Sequence, residues 1–152
     1  MQKKLFIIAV IVGISALFIT AGIYAGTKVP DVIKMENKAY KKHKKSIMTF
    51  SHKKHIEEYK AGCGECHHDD KGKPLDNLKE GDNVQNCIEC HKKPGERPKG
   101  KGAPKLSKKQ RLDYHAEALH YNCKDCHKKF NKKNKTKKAP TTCTKCHPKK
   151  KK

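Results

Sequence analysis

The chain has 152 residues, with 37 Lys and Arg against 15 Asp and Glu, for a formal charge of +22. That length allows one domain with appendages, and the charge by itself excludes neither a nucleic-acid binder nor a carrier that docks on acidic partners. From Ser51 to Lys152 only nine residues are Leu, Ile, Val or Phe, far below the roughly 20% under which a highly charged chain is expected to be disordered. An ordinary side-chain core is therefore excluded, because it would not offset the conformational entropy of folding. Either the region is disordered or something other than side chains supplies its apolar interior.

In chain order, Lys3 and Lys4 precede Leu5 to Ala25, a run of 21 residues without a charge. Such a run exceeds the roughly 7–15 residues of a signal-peptide core and is long enough to span a bilayer. Ile23, Tyr24 and Ala25 before Gly26 offer a cleavage site that is not a clean A-x-A. A cleaved signal and a retained membrane tether through residues 5–25 both stay open, and either sends the remainder out of the cytoplasm. The expected division is a signal peptide or anchor over 1–25, a lead-in over 26–46, the main domain over 47–148 and a basic tail over 149–152.

"MTFSHKKH" (48–55) reads as a short strand before a pair of histidines, with residues near Val32 to Met35 as its partner. "HIEEYK" (55–60) reads as a helical turn. Gly, Pro and Lys clusters over 92–105 and 128–140 read as loops. Between them Ser107-x-x-Gln110 forms a capping box, after which Leu112, Ala116 and Leu119 share one helical face. His115 and His120 flank that stripe on opposite sides.

All eight cysteines fall in four copies of one motif: Cys63-x-x-Cys66-His67, Cys87-x-x-Cys90-His91, Cys123-x-x-Cys126-His127 and Cys143-x-x-Cys146-His147. Export to an oxidising space ordinarily suggests disulfides, but the histidine after every second cysteine points elsewhere. C-x-x-C-H is the attachment signature of c-type haem. Its two thiols form thioethers with the porphyrin vinyl groups, and the next residue lies beneath the ring as an axial imidazole. A zinc ribbon needs paired C-x-x-C but no histidine at the following position.

Four proximal histidines leave six others: His43, His52, His55, His68, His115 and His120. The three methionines, at 1, 35 and 48, all lie upstream of every motif. The economical reading is bis-histidine ligation at four irons, which gives a lower potential than His/Met and closes both axial positions. That favours electron transfer over catalysis. His43, within "KKHKK", reads as solvated.

"FSHKKH" (50–55) followed by "CGECHH" (63–68) and three further C-x-x-C-H sites resembles the class III tetrahaem c-type cytochromes, the cytochrome c3 family. The resemblance covers about residues 30–147. It implies a small, mostly irregular fold with short α-helices and little β, wrapped around four covalent haems. It also implies that His52 is the distal ligand of the haem at Cys63 and Cys66, His68 of that at Cys87 and Cys90, and His55 of that at Cys123 and Cys126. For the haem at Cys143 and Cys146 it favours His120 over His115. The chain departs from the family pattern in having a two-residue gap in all four motifs and an extreme lysine excess.

The expected function is that of a periplasmic, low-potential electron carrier in anaerobic respiration. Its partners by resemblance are acidic redox proteins such as periplasmic hydrogenase or formate dehydrogenase, and membrane cytochrome complexes. A multihaem reductase of metal ions or another acceptor is the alternative, and an open axial site would mark it. A zinc-containing nucleic-acid binder, suggested by charge, lacks aromatic interleaving, since the chain has no Trp.

Overall fold

The computed structural model describes residues 29–149. The expected signal peptide or tether over 1–25 lies outside the described residues, as does the tail from 150 onward. Among the described residues no helix is long and apolar enough to cross a membrane. One compact unit takes in 30–79 and 84 to the end of the described chain, while 80–83 belongs to a second unit.

Regular structure in the main unit is short and widely spaced. Strand β1 (Ile33–Lys34) pairs antiparallel with β2 (Thr49–Phe50), with Ile33 opposite Phe50. Backbone bonds from Met35 N to Met48 O (2.9 Å) and from Lys53 N to Asp31 O (3.1 Å) extend this ribbon at both ends. Residues 31–35 of the stretch read as a lead-in are thus tied into the unit, because their backbone polar groups are met by those of 48–53.

Helix α1 (His52–Glu57) follows β2 directly. Its exposed Lys53–Glu57 (3.7 Å) and Lys54–Glu58 (3.9 Å) pairs contribute only about 0.3–0.5 kcal/mol each. Six residues are too few for a helix to persist alone in water, so α1 depends on what its histidines touch. A 3₁₀ turn (Cys63–Glu65) and helix α2 (Cys87–Cys90) then carry the first two cysteine motifs.

Helix α3 (Lys108–Leu112) begins at the expected box. Gln110 N donates to Ser107 Oγ at 3.3 Å, and Ser107 N donates to Gln110 Oε1 at 2.9 Å. The single helical face expected from Leu112 onward does not run straight through, because Tyr114 is extended and α4 starts afresh at His115. The cause is a parallel bridge between Lys93 and Tyr114. Lys93 N donates to Asp113 O at 2.9 Å, and His115 N donates to Lys93 O at 2.8 Å.

Helix α4 (His115–Lys133) is the longest element and carries the third motif inside it. It also corrects the loop expected over 128–140, since its last turns cover 128–133. No Gly or Pro occurs between Pro104 and Pro140, so nothing breaks the helix until Lys135 adopts a positive φ of 47°. Asn134 Nδ2 donates to Phe130 O at 2.9 Å, satisfying a carbonyl of the final turn. The last element, α5 (Cys143–Cys146), is one turn at the fourth motif.

Polypeptide packing supplies almost no interior. Among the described residues only Gly64, His115 and Ala118 are buried, and no side chain is completely enclosed. Phe130, Tyr59 and Val84 are exposed. His115 is the one buried polar side chain, and its Nδ1 is hydrogen-bonded to the Tyr40 hydroxyl at 2.8 Å. Burial lowers the His115 pKa, with nearby His91 adding to the effect, so the ring stays neutral. His43 is not simply solvated as expected: it is half-buried and stacks on Tyr40, with centroids 4.8 Å apart. Tyr40 therefore fastens the amino-terminal segment to α4. A Tyr40→Phe substitution leaves the His115 nitrogen buried and unpaired, at a cost of about 1–3 kcal/mol. Chemical denaturation of the purified protein is expected to show that loss.

Candidate functional site

Each Cys-x-x-Cys-His motif occupies one helical turn. His67 N donates to Cys63 O at 2.8 Å, His91 N to Cys87 O at 2.9 Å, and His147 N to Cys143 O at 2.7 Å. The third motif has its helical turn from α4 itself. Positions i, i+3 and i+4 of a helical turn lie on one face, so both sulfurs and the imidazole of a motif share a side.

Every motif histidine faces one histidine from outside its own motif. Ring centroids lie 6.4 Å apart for His52 and His67, 5.9 Å for His68 and His91, 6.1 Å for His55 and His127, and 6.3 Å for His120 and His147. A metal–imidazole bond of about 2 Å on each side of one ion sets trans ring centroids about 6 Å apart. The four spacings match that value, whereas a direct hydrogen bond between rings would bring them closer. Among the described residues no three His, Cys, Asp or Glu side chains converge on a single metal position. The histidines converge in twos.

Second partners fix the ring orientations. His55 Nδ1 donates to Ser51 O (2.8 Å), His68 to Asp69 O (2.7 Å), and His91 to Leu112 O (2.6 Å). His127 donates likewise to Pro140 O (2.7 Å) and His147 to Ser46 O (2.8 Å). A carbonyl can only accept, so Nδ1 carries the proton and the Nε2 lone pair is left for a metal. The break between α3 and α4 has a use here: it turns the Leu112 carbonyl from the helix ladder to His91. Burial lowers the pKa of His67, with His52 and His68 adding to the effect, and burial also lowers that of His120 against the pull of Glu96. Both shifts favour the neutral ring, which is the ligating form.

All eight sulfurs are free of disulfides. Burial pushes the Cys123 thiol up to about 11, with Cys66 and Cys87 adding to the shift. Burial likewise raises Cys66, Cys87, Cys126 and Cys146. Sulfurs placed in pairs beside an imidazole, opposite a second imidazole, fit covalent haem.

The arrangement ties the four sites together through neighbouring residues. His52 and His55 share one helical turn, yet they face the first and third motifs. His67 and His68 are adjacent, yet they face His52 and His91 respectively. The Phe50 ring packs 5.7 Å from His52 and 4.6 Å from His55, holding both. His115, the alternative to His120, meets Tyr40 instead. What motif reading missed are Tyr40 and the carbonyls of Ser46, Leu112 and Pro140. Every residue carries a carbonyl, so nothing in the sequence singles these out.

Compared with known proteins, residues 29–147 match the family model described as the class III cytochrome C family. Comparison with curated proteins and with solved structures returns no match.

Proposed function

Because the chain belongs to the class III cytochrome c family, we propose that it is a periplasmic, low-potential electron carrier holding four bis-histidine c-type haems. Membership itself carries the coarser statement, that this is a multihaem electron-transfer protein with covalent haem. In the proposed sites Cys63 and Cys66 hold the first haem between His67 and His52. Cys87 and Cys90 hold the second between His91 and His68. Cys123 and Cys126 hold the third between His127 and His55, and Cys143 and Cys146 hold the fourth between His147 and His120. The observation that carries this reading is the pairing of every motif histidine with one outside imidazole at a one-metal spacing.

Bound haem iron supplies a reversible one-electron couple, with a potential lowered by two imidazoles relative to His/Met. The residues of this chain do the rest. Carbonyl-bonded Nδ1 atoms on His55, His68, His91, His127 and His147 raise the basicity of those ligands and keep those five rings in place. With both histidines of a pair engaged, a bound iron would have no place for an exogenous ligand, which would separate a carrier from a reductase. Crossed sharing of α1 and of His67–His68 draws the sites close enough for electrons to redistribute without large motion of the protein.

Lysines dominate the exposed surface and would steer acidic redox partners into contact, periplasmic hydrogenase, formate dehydrogenase or membrane cytochrome complexes among them. The apolar run over 5–25 would serve as the export signal or as a membrane tether. The reduced, exported protein is expected to show no spectral change under carbon monoxide. Its electron delivery to an acidic redox partner should slow by about tenfold or more between low and physiological salt. A carbon monoxide adduct, or steady reduction of metal ions without any partner, would favour the reductase instead.

A further inference from the structure

A broad open pocket of about 540 Å³ lies on the surface among the loop over 97–106 and helix α3, lined by Arg97, Lys99, Lys105 and Arg111 with no acidic residue in its wall. Of the 37 basic residues in this chain only two are arginine, Arg97 and Arg111. Both line this one cavity. Lysine serves everywhere else, as solubility and general steering require only a charge. Arginine differs from lysine in its planar fork of donors, which matches the oxygens of an oxyanion two at a time.

The side chains are incompletely satisfied by the protein. Arg97 Nε is buried without a hydrogen-bond partner, and its nearest carboxylate oxygen, Glu117 Oε2, stands at 3.8 Å. Lys99 reaches Glu96 at 2.9 Å and Glu117 at 3.8 Å. Among the described residues neither Lys105 nor Arg111 forms an ion pair. Glu96 and Glu117 thus offset only Arg97 and Lys99 of the four cations around the cavity, and the arginine donors point to a ligand with several oxygens.

From this we infer that the cavity between the 97–106 loop and α3 binds a multiply charged tetrahedral oxyanion of the phosphate or sulfate class through Arg97 and Arg111. An excess of positive charge within the wall favours a doubly charged ion over acetate or chloride. Neither arginine belongs to a histidine pair, although Lys99 shares Glu96 with His120 of the fourth pair, and the site does not depend on the carrier reading.

The test is calorimetric titration of the exported, haem-loaded protein with inorganic phosphate, at an ionic strength held constant with chloride. Sulfate and acetate are titrated in parallel. One saturable site is expected, filled by phosphate or sulfate in preference to acetate. An Arg97→Lys, Arg111→Lys variant keeps every charge and is expected to weaken binding by about tenfold or more, because the fork is lost. A Lys132→Gln, Lys133→Gln variant removes two charges from the end of α4 and is expected to change it by less than about twofold. An unaltered visible spectrum shows that each variant is folded. Non-saturable uptake, equal binding of acetate, or a loss that follows net charge alone would overturn the site. So would a wild-type protein that takes up no phosphate while the arginine variants shift the haem spectrum, since the arginines would then serve haem carboxylates.

Discussion

A Cys123→Ala, Cys126→Ala variant is expected to leave the cell one haem lighter and without a cooperative unfolding transition at ambient temperature. Cys123 is the sulfur most strongly shifted by burial, and its neighbours include sulfurs of the other motifs: Cys66, Cys87 and Cys146. It stands in the middle of α4, the one long element. Removing the ring it anchors would also strip His127 and His55 of their shared metal and release α1, which is too short to persist unaided. The polypeptide offers nothing in exchange, since only three described residues are buried. A domain of this size is stable by about 5–15 kcal/mol in total. If four haems form the interior as proposed, loss of one of them together with its two ligand bonds is of that order. The check is intact mass together with thermal denaturation followed by circular dichroism. A His43→Ala control, which touches a ring stacked on Tyr40 but no site histidine, should retain every haem and melt cooperatively. A double cysteine variant that melted like the wild type would show that the porphyrin is not the core.

Replacing His120 with methionine is expected to raise the potential of one haem by on the order of 0.1 V or more, within the roughly 0.8 V range that axial ligands command. The other three should move little. The geometry behind this is the 6.3 Å separation of His120 and His147. His115 is close in sequence but bonded to Tyr40, so a His115→Asn variant should keep all four potentials and lose stability alone. Redox titration followed at the haem bands distinguishes the two. Should His115→Asn shift a potential and His120→Met leave all four intact, the distal assignment at the fourth site must be exchanged.

Much of the site was legible in the sequence because covalent haem demands a fixed local pattern. Two sulfurs and an imidazole must share one helical turn, and Cys-x-x-Cys-His is the sequence form of that demand. Low aliphatic content carried a second message, that the interior is not made of side chains. The strand pairing of 33–34 with 49–50 falls where the sequence suggested a short strand ahead of the first histidines, with residues near Val32 to Met35 as its partner. Less legible were features set by tertiary contact. The straightening at Tyr114 depends on a bridge to Lys93, twenty-one residues earlier, and no local propensity announces it. Helix α4 continues through a lysine-rich stretch because nothing there breaks it, while composition suggested a loop. Tyr40 gave no signal of its role at all, since its partner His115 lies 75 residues away. The arginine cavity was hidden for a related reason: the scarcity of arginine is visible in the sequence, but that both copies line one wall is not.

The central claim is that eight histidines clamp four irons in pairs and that the rings so held take the place of a hydrophobic core. Low-temperature electron paramagnetic resonance of the oxidised, exported protein, with haem content counted on the same sample, tests it most directly. Four haems per chain, all low-spin ferric with two imidazole ligands, are expected. Fewer than four, or a high-spin signal from the native protein, would contradict it.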